Sequence, residues 1–402
     1  MCPSTLLRSS RCLPRTLARR FSPLLALPLW GLLTTGCASA PAPATFDSAD
    51  YLRQQIAPHP ELEVGSLELP FELVPELLTQ ADKKLKPSGN DRERADKVVD
   101  YIFHALDLEY ALEPTRDASG TFRSRAGNCL SFVNLFVALA RHLRLSPFYV
   151  EVEDYQRWDH RQGMVISQGH IVAGLYIGGY LKTYDFMPYR VKSYRDFHPI
   201  DDLTATAHYY NNLGAEALLA GRDDEAGRYL GIAGRIDPKF VKGANNLGVW
   251  HARRGEFAAA IALYQGALEI EPQNVPLLTN LARAYQQTGR ADEADAILAS
   301  VDGVHHSNPF FYIYRADLAL SRGDGPKALD FLREAMAIDS ENPEVHLGLT
   351  RAYVASGDLD KAKHYLGRAL RLDPSHPEAR KLAALLLPAL VDKKAPAAGG
   401  GS

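Results

Sequence analysis

The chain has 402 residues, a formal net charge of −3 at pH 7, and hydrophobic residues at 46% of its positions. This length is enough for two or three domains that each bury a core. Because the charge is mildly acidic and no block of lysine and arginine occurs, the composition excludes a basic nucleic-acid-binding protein.

The first 36 residues have the pattern of a secretory signal. They carry five arginines and no acidic residue, and the apolar stretch from Phe21 to Leu33 is too short to span a bilayer. The segment ends in Gly36-Cys37 and resembles a bacterial lipoprotein signal, in which the cysteine becomes the acylated first residue. Thr34 departs from that pattern, since an aliphatic residue is commonest there. An ordinary cleaved signal with a chance cysteine is the alternative.

We therefore expect residues 1–36 to be a lipoprotein-type signal peptide and Cys37 to be the lipidation site. The residue after this cysteine is Ala38 and not an aspartate of the kind that serves as a retention signal, which favours the periplasmic face of the outer membrane. Residues 37–65 would then be the lipidated N-terminus and a linker. No later stretch of the sequence is long and apolar enough to cross a membrane, so attachment would depend on the lipid.

A glycine-containing loop next leads into a strongly apolar segment, which predicts a central buried helix. Asn128 is a favourable N-cap and places Cys129 in the first turn. There the helix dipole and the free backbone N–H groups stabilise a thiolate, the nucleophilic form of cysteine, and can bind an oxyanion. The other three cysteines lie in the signal or at the lipidation site, so Cys129 is left as a lone thiol. A small buried core cysteine is the alternative.

Residues 165–187 form two alternating runs joined by Gly178-Gly179, which predicts a β-hairpin with a two-residue turn. In this register His170 and Asp185 are diagonal neighbours on one face, roughly 5.5–8 Å apart at the backbone. An aspartate at that distance can orient the imidazole and stabilise its charged form, as a catalytic dyad requires. Taken singly, a strand histidine is often structural and an aspartate at a strand end is often a cap.

The region from about residue 95 to 190 resembles the transglutaminase-like superfamily, a circularly permuted relative of papain-type cysteine proteases. The resemblance lies in the Arg-x-Gly-x-Cys helix start, the Ala-Leu-Ala-Arg-x-Leu helix end, the strand Pro147–Glu153, Gly169-His170 and Tyr184-Asp185. The sequence pattern mixes helices and strands from about residue 66 to 200, and the resemblance implies that this segment is an α+β domain. Within that domain it implies Cys129 as nucleophile, His170 as general base and acid, and Asp185 as the residue that orients His170.

Members of this family include protein cross-linkers, peptide or amide hydrolases, and copies that have lost activity. In classical cross-linkers an aromatic residue precedes the cysteine, whereas Asn128 stands there in this chain. We therefore assign Asn128 to the helix cap and oxyanion region and expect hydrolysis, with an acyl-enzyme on Cys129 released by water.

His160 is the competing candidate for the base. It lies in the polar stretch 154–162, which we interpret as a solvated loop without strand register, and we rank it below His170. The acidic residues of that stretch do not form a calcium loop, and Cys129 has no second cysteine to bind zinc with it. No dinucleotide, phosphate-binding or haem motif occurs, so we predict neither a metal nor a cofactor.

From residue 207 onward the sequence repeats with a period of 34. The recurring small residues are Gly221, Gly255, Gly289, Gly323 and Gly357, and Ala226, Ala260, Ala294, Ala328 and Ala362. The glycine permits a tight turn between two amphipathic helices, and the alanine lets their backbones approach. The pattern resembles the tetratricopeptide repeat and predicts an all-α superhelix of five repeats over 207–376. A capping helix over 377–391 and a disordered tail over 392–402 would follow.

Such repeats present the first helix of each unit along a groove that receives a protein or peptide partner. Asn212, Asn246 and Asn280 hold the same place in successive first helices and can hydrogen-bond a partner's backbone. The alternative is that these asparagines are held inside the stack. Arg283 and Arg351 also lie on first helices and favour an acidic or C-terminal carboxylate partner.

The sequence thus predicts a lipid-anchored envelope protein in which a cysteine peptidase or amidase domain precedes a repeat domain that recruits partner or substrate. A scaffold whose transglutaminase-like domain no longer catalyses is the second hypothesis. Acyl transfer to an amine, which is cross-linking, is the third.

Overall fold

The computed structural model describes residues 67–161, 164–186, 194, 196–300 and 308–386, and of residues 153–161 and 164–169 the backbone alone. An α+β region comes first and an all-α region follows, as predicted. In the described part of the chain, no helix is both long enough and apolar enough to cross a membrane.

The described residues of the α+β region form four helices and six strands. The helices are α1 (Pro75–Lys84), α2 (Asp91–Asp100), α3 (Ala118–Ser124) and α4 (Cys129–His142), and a π-helical turn at Tyr101–Ala105 continues α2. The strands are β1 (Glu109–Tyr110), β2 (Ala126–Gly127), β3 (Phe148–Arg161), β4 (Met164–Ile177), β5 (Tyr180–Tyr184) and β6 (Phe197–Ile200). The short strands β1 and β2 pair in parallel, and the other four form an antiparallel sheet in the order β5-β4-β3-β6.

Helix α4 is the centre of this region, as its apolar sequence predicted. Every residue from Leu130 to Ala140 is buried, and the helix packs against strands β3 and β4. Two aromatic side chains of α4, Phe132 and Phe136, contact Phe186 at ring-centroid distances of 6.1 and 5.7 Å. Burial on all sides fixes the position of the helix, and with it the position of its first turn.

The expected loop over 154–162 is wrong, because strand β3 continues through Arg161. Beyond a register shift between Val152 and Arg157, β3 pairs with β4 from Arg157–Gln168 to Arg161–Met164. Main-chain hydrogen bonds between two strands do not require apolar side chains, so the polarity of this stretch was a poor guide to its backbone. Strands β3 and β4 therefore form a two-stranded ribbon, and β3 extends beyond the predicted strand Pro147–Glu153.

In the all-α region the structure describes five helix pairs and one further helix. The pairs are α5 (Asp202–Leu219) with α6 (Asp223–Ile236), α7 (Val241–Arg253) with α8 (Phe257–Ile270), α9 (Val275–Gln287) with α10 (Ala291–Ser300), α11 (Pro309–Ser321) with α12 (Gly325–Ile338), and α13 (Pro343–Ser356) with α14 (Leu359–Leu372). Helix α15 (Pro377–Leu386) covers the last pair by packing on α14.

The period of 34 has a direct backbone cause. The five recurring glycines follow the first helix of each pair with φ between 74° and 80°, a conformation that side chains disfavour. Glycines inside the first helices of the first two pairs allow a close approach: a Cβ on Gly214 would lie 2.5 Å from the Leu230 side chain, and one on Gly248 would lie 2.3 Å from the Tyr264 ring. The glycine turn recurs in all five described pairs, and this close contact in the first two.

The first helix pair shares the core of the α+β region. Helix α5 begins at Asp202, earlier than the expected 207, because the Asp201 side chain caps it by accepting a hydrogen bond from Thr204 N at 2.8 Å. Tyr209 and Tyr210 belong to the same buried cluster as α4, and Tyr210 Oη donates to Glu68 O at 3.0 Å. The two regions are therefore packed together without a break in the core.

A second contact joins the ribbon to the repeats. Strand β4 contacts the first helices α7 and α9, and both β3 and β4 contact α5. Glu151 on β3 also takes part: its buried carboxylate accepts a hydrogen bond from Lys242 Nζ of α7 and lies 3.2 Å from His208 Nε2 of α5. The positive charges of His208 and Lys242 outweigh the burial that would raise the pKa of Glu151, and they hold it well below its usual value.

Candidate functional site

Cys129 is the first residue of helix α4, as predicted. Asn128 has extended backbone (φ −89°, ψ −175°), and its Oδ1 accepts a hydrogen bond from Ser131 N at 3.0 Å, which is the geometry of an N-cap. The Cys129 side chain is a free thiol and is partly exposed. The helix start therefore presents a thiol at the positive end of the helix dipole, where a thiolate is stabilised.

The hairpin has the predicted register. Gly178 and Gly179 both have positive φ, 60° and 85°, as a two-residue turn of this kind requires. The strands pair from Ile177–Tyr180 to Ala173–Tyr184, so Asp185 follows the last paired residue of β5. His170 lies on β4, where it is also paired with Val152 of β3.

The structure brings His170 and Asp185 together. His170 Nε2 lies 3.3 Å from Asp185 Oδ1, with the His170 side chain 1% exposed and the Asp185 side chain 22% exposed. The Cys129 thiol interacts electrostatically with the same imidazole and raises its pKa. The three residues named by the sequence thus meet at one site.

The charged form of His170 is strongly favoured. Burial alone would lower the pKa of the imidazole, but hydrogen bonds to Asp185 and Cys129 and the negative charges of both groups raise it from 6.5 to about 9. At neutral pH this environment favours an imidazolium beside the Cys129 side chain. An imidazolium next to the thiol is the arrangement that activates a cysteine nucleophile.

Tyr194 is a member of this site that the sequence did not reveal. Its hydroxyl donates to Asp185 Oδ2, and its oxygen lies 3.1 Å from His170 Nε2. Because the one hydroxyl hydrogen goes to Asp185, the oxygen accepts the Nε2 hydrogen. This fixes the neutral tautomer, with the proton on Nε2 and the lone pair of Nδ1 free to act as base. No register or motif marks a tyrosine nine positions after Asp185.

Asn128 acts as the cap but not as an oxyanion donor. Both hydrogens of its side-chain amide are engaged, one with Thr115 Oγ1 at 2.6 Å and one with Leu112 O at 3.3 Å. Donors for an oxyanion would therefore have to be backbone N–H groups at the start of α4. His160, the competing base, lies on strand β3 opposite Val165, so its assignment to a loop without register is corrected.

The repeat asparagines differ in their surroundings. Asn246 and Asn280 are buried, and their amides donate to Asn211 and Asn245 of the preceding units, each at 2.9 Å. These bonds favour the alternative in which the asparagines are held inside the stack. Asn212 is partly buried.

The two repeat arginines also differ. Arg351 forms ion pairs with Asp317 at 2.9 Å and Glu378 at 2.8 Å. Arg283 lies over the Tyr314 ring at 4.5 Å and lines a cavity of about 440 Å³ between first helices. Arg351 thus pairs with carboxylates of the repeat helices themselves.

The predictions for the chain ends fall outside the described residues. They concern the signal peptide, Cys37, the linker as far as residue 66, the end of the capping helix beyond 386 and the tail. Among the residues that the structure does describe, no group of three or more His, Cys, Asp and Glu side chains is arranged to hold a metal.

Two curated relatives match parts of the chain. Cellulose synthase operon protein C of Pseudomonas fluorescens (strain SBW25) is 29% identical over 147 residues, which are 35% of this chain and 12% of that protein. Small glutamine-rich tetratricopeptide repeat-containing protein 2 of Mycosarcoma maydis is 31% identical over 88 residues, which are 22% of this chain and 25% of that protein. The chain thus spans a quarter or less of the length of these relatives.

Among solved structures, a thermophilic tetratricopeptide repeat protein of Thermus thermophilus matches 45% of this chain and 98% of its own, with 21% identity and a TM-score of 0.42. PilF of Pseudomonas aeruginosa matches 45% of this chain and 82% of its own, with 19% identity and a TM-score of 0.37. Family models match two separate regions: a transglutaminase-like superfamily model matches residues 79–187, and a tetratricopeptide repeat model matches 251–309 and 319–386. The chain therefore contains a transglutaminase-like domain followed by tetratricopeptide repeats.

Proposed function

We propose that this protein is a thiol-dependent hydrolase of amide or peptide bonds, with Cys129 as nucleophile, His170 as general base and acid, and Asp185 as the residue that orients His170. The observation that carries the proposal is the buried imidazole of His170, which lies 3.3 Å from the Asp185 carboxylate and whose pKa is raised by interactions with both Asp185 and the Cys129 thiol. A structural histidine needs only one of these partners, whereas both are needed for nucleophilic catalysis.

In the first half of the reaction the Cys129 thiolate attacks the carbonyl carbon of the substrate. The carbonyl electrons move to oxygen, which backbone N–H groups at the start of α4 would stabilise. When the tetrahedral intermediate collapses, the C–N bond breaks and the departing amine takes a proton from the His170 imidazolium. The products of this half are the free amine and a thioester on Cys129.

In the second half water attacks the thioester while Nδ1 of neutral His170 removes a proton from it. The C–S bond then breaks, the carboxylic acid leaves, and the thiolate–imidazolium pair forms again. Asp185 and Tyr194 hold the Nε2 proton throughout, so the ring does not rotate away from the thiol. Asn128, in the place where cross-linking enzymes have an aromatic residue, supports water rather than a bound amine as the acceptor.

The repeats would bring a protein or peptide partner to this domain, which is the general role of tetratricopeptide repeats. Anchoring through a lipid on Cys37 would keep the enzyme at the cell envelope, at the periplasmic face of the outer membrane. This part of the proposal is supported by the signal-like sequence that precedes Cys37.

The test is labelling of intact envelopes with a thiol-reactive activity probe. We expect labelling in the wild type, none in Cys129→Ala, and weakened labelling in His170→Ala. The control is His142→Ala, which removes a partly exposed histidine at the far end of α4 that contacts Asp82. Iodoacetamide should alkylate Cys129 faster than it alkylates a model thiol at neutral pH. An equal or lower rate would contradict the proposal.

A further inference from the structure

A chain of buried hydrogen bonds links the first repeat helix to the first turn of α4. It begins at Glu216 on helix α5, passes through Thr115 in the segment before α3, and ends at Asn128, the N-cap of the helix that carries Cys129. All three linking side chains are buried, with exposures of 7%, 3% and 7%.

The Glu216 carboxylate holds Thr115 by three contacts. Thr115 N donates to Oε1 at 2.8 Å and lies 3.1 Å from Oε2, and Thr115 Oγ1 donates to Oε1 at 2.6 Å. Burial raises the pKa of Glu216, and the hydrogen bonds from Thr115 oppose that effect. A buried carboxylate costs free energy unless it is hydrogen-bonded, so this contact is a specific one and not a solvated surface pair.

The direction of each hydrogen in the chain is determined. The Thr115 hydroxyl hydrogen goes to Glu216, so the oxygen accepts from Asn128 Nδ2 at 2.6 Å. The Asn128 amide is therefore oriented with Oδ1 towards the helix, where it accepts from Ser131 N at 3.0 Å and from Ser131 Oγ at 2.9 Å. The carboxylate on the repeat helix thus determines which end of the asparagine caps the helix.

We infer that Glu216 is a positioning residue for Cys129, so that the first tetratricopeptide repeat is a working part of the thiol site and not only a recruiting module. The inference rests on the proposed function of Cys129. A nucleophile must be held close to its attack geometry, and a misplacement of about 1 Å costs about 100-fold in rate. Through Thr115 and Asn128, Glu216 limits the movement of the turn that carries the thiol.

The experiment breaks the chain at two points and restores it at one. Thr115→Val removes the hydroxyl with nearly the same shape, Thr115→Ser keeps the hydroxyl, and Glu216→Leu removes both carboxylate oxygens to which Thr115 donates. Glu225→Leu is the matched control, because Glu225 lies on helix α6 and pairs with Arg222 at the surface. Thermal unfolding and gel filtration establish that each full-length variant is folded.

Two quantities are measured: the second-order rate constant of Cys129 with iodoacetamide at pH 7, and the hydrogen-exchange rate of the Ser131 amide. We expect Thr115→Val and Glu216→Leu to lower the first by about tenfold or more and to raise the second by a similar factor. Thr115→Ser and Glu225→Leu should match the wild type in both. Rescue by Thr115→Ser is the readout that a general packing role would not give.

Wild-type rates in folded Thr115→Val and Glu216→Leu would overturn the inference and leave the proposed function standing. If wild-type Cys129 reacts no faster than a model thiol, the proposed function fails, and the Ser131 exchange alone decides whether Glu216 positions the turn. If Glu216→Leu does not fold, Thr115→Val decides, because it breaks the same hydrogen-bond chain on the side of the α+β region.

Discussion

The pKa of His170 offers the sharpest test of the site, and the change to make is Asp185→Asn. The difference between 6.5 and about 9 corresponds to about 3 kcal/mol of extra stabilisation of the imidazolium, at about 1.36 kcal/mol per pKa unit. Asp185 contributes both a hydrogen bond and a negative charge to that rise, while burial opposes it. A neighbouring opposite charge is worth about 1–3 pKa units, so Asp185→Asn should lower the pKa of His170 by that amount.

The assay is a histidine-selective NMR titration from pH 5 to 10, in which the His170 signal is the one missing from His170→Gln. We expect a midpoint near pH 9 in the wild type and a midpoint between about 6 and 8 in Asp185→Asn. Asp96→Asn is the control, since Asp96 pairs with Lys182 at the surface. A wild-type midpoint near pH 6.5, or equal midpoints in the wild type and Asp185→Asn, would refute the argument that Asp185 raises the pKa of His170.

Three further predictions concern the supports of the site. Tyr194→Phe removes the second acceptor of the Nε2 proton, a hydrogen bond worth about 1 kcal/mol. It should slow alkylation of the Cys129 thiol by iodoacetamide about fivefold. An unchanged rate would contradict the tautomer assignment of His170. Gly179→Ala places a side chain at φ 85° with no atom within 4 Å of its Cβ, so it should lower the free energy of unfolding by about 1–2 kcal/mol in urea titrations through backbone strain alone. Lys242→Met removes one positive partner of Glu151 and should cost about 1.5–3 kcal/mol at pH 7. The folded-state pKa of Glu151 is depressed, so the stability that its charge contributes is present at neutral pH and is lost as pH falls below about 4. The difference in unfolding free energy between wild type and Lys242→Met should therefore shrink in acid.

The parts of the site that local rules govern could be predicted from the sequence. Asn128 is a strong capping residue, and Gly178-Gly179 permits one hairpin register, so the positions of Cys129, His170 and Asp185 followed from short stretches of chain. Tyr194 could not be found in this way, because its place depends on where the chain returns to the sheet after Asp185.

Contacts between distant segments account for the other differences. The carboxylate of Glu216 is 101 residues from Thr115, and no pattern in the repeat marks it as a partner of the preceding domain. The polarity of residues 154–161 predicts a solvated loop, whereas backbone pairing with β4 decides their structure. The sequence of Asn246 and Asn280 is compatible with a groove and with the stack, and their bonds to neighbouring asparagines decide for the stack.

The contact of strand β4 with helices α7 and α9 has a consequence for competition. A segment tethered within the same chain acts at an effective concentration in about the millimolar range. A ligand that needs the surface of α7 and α9 would have to displace the ribbon against this local excess. Among the principal element contacts of the described chain, β4 has none with the later first helices α11 and α13, so a ligand on those helices would not compete with the ribbon.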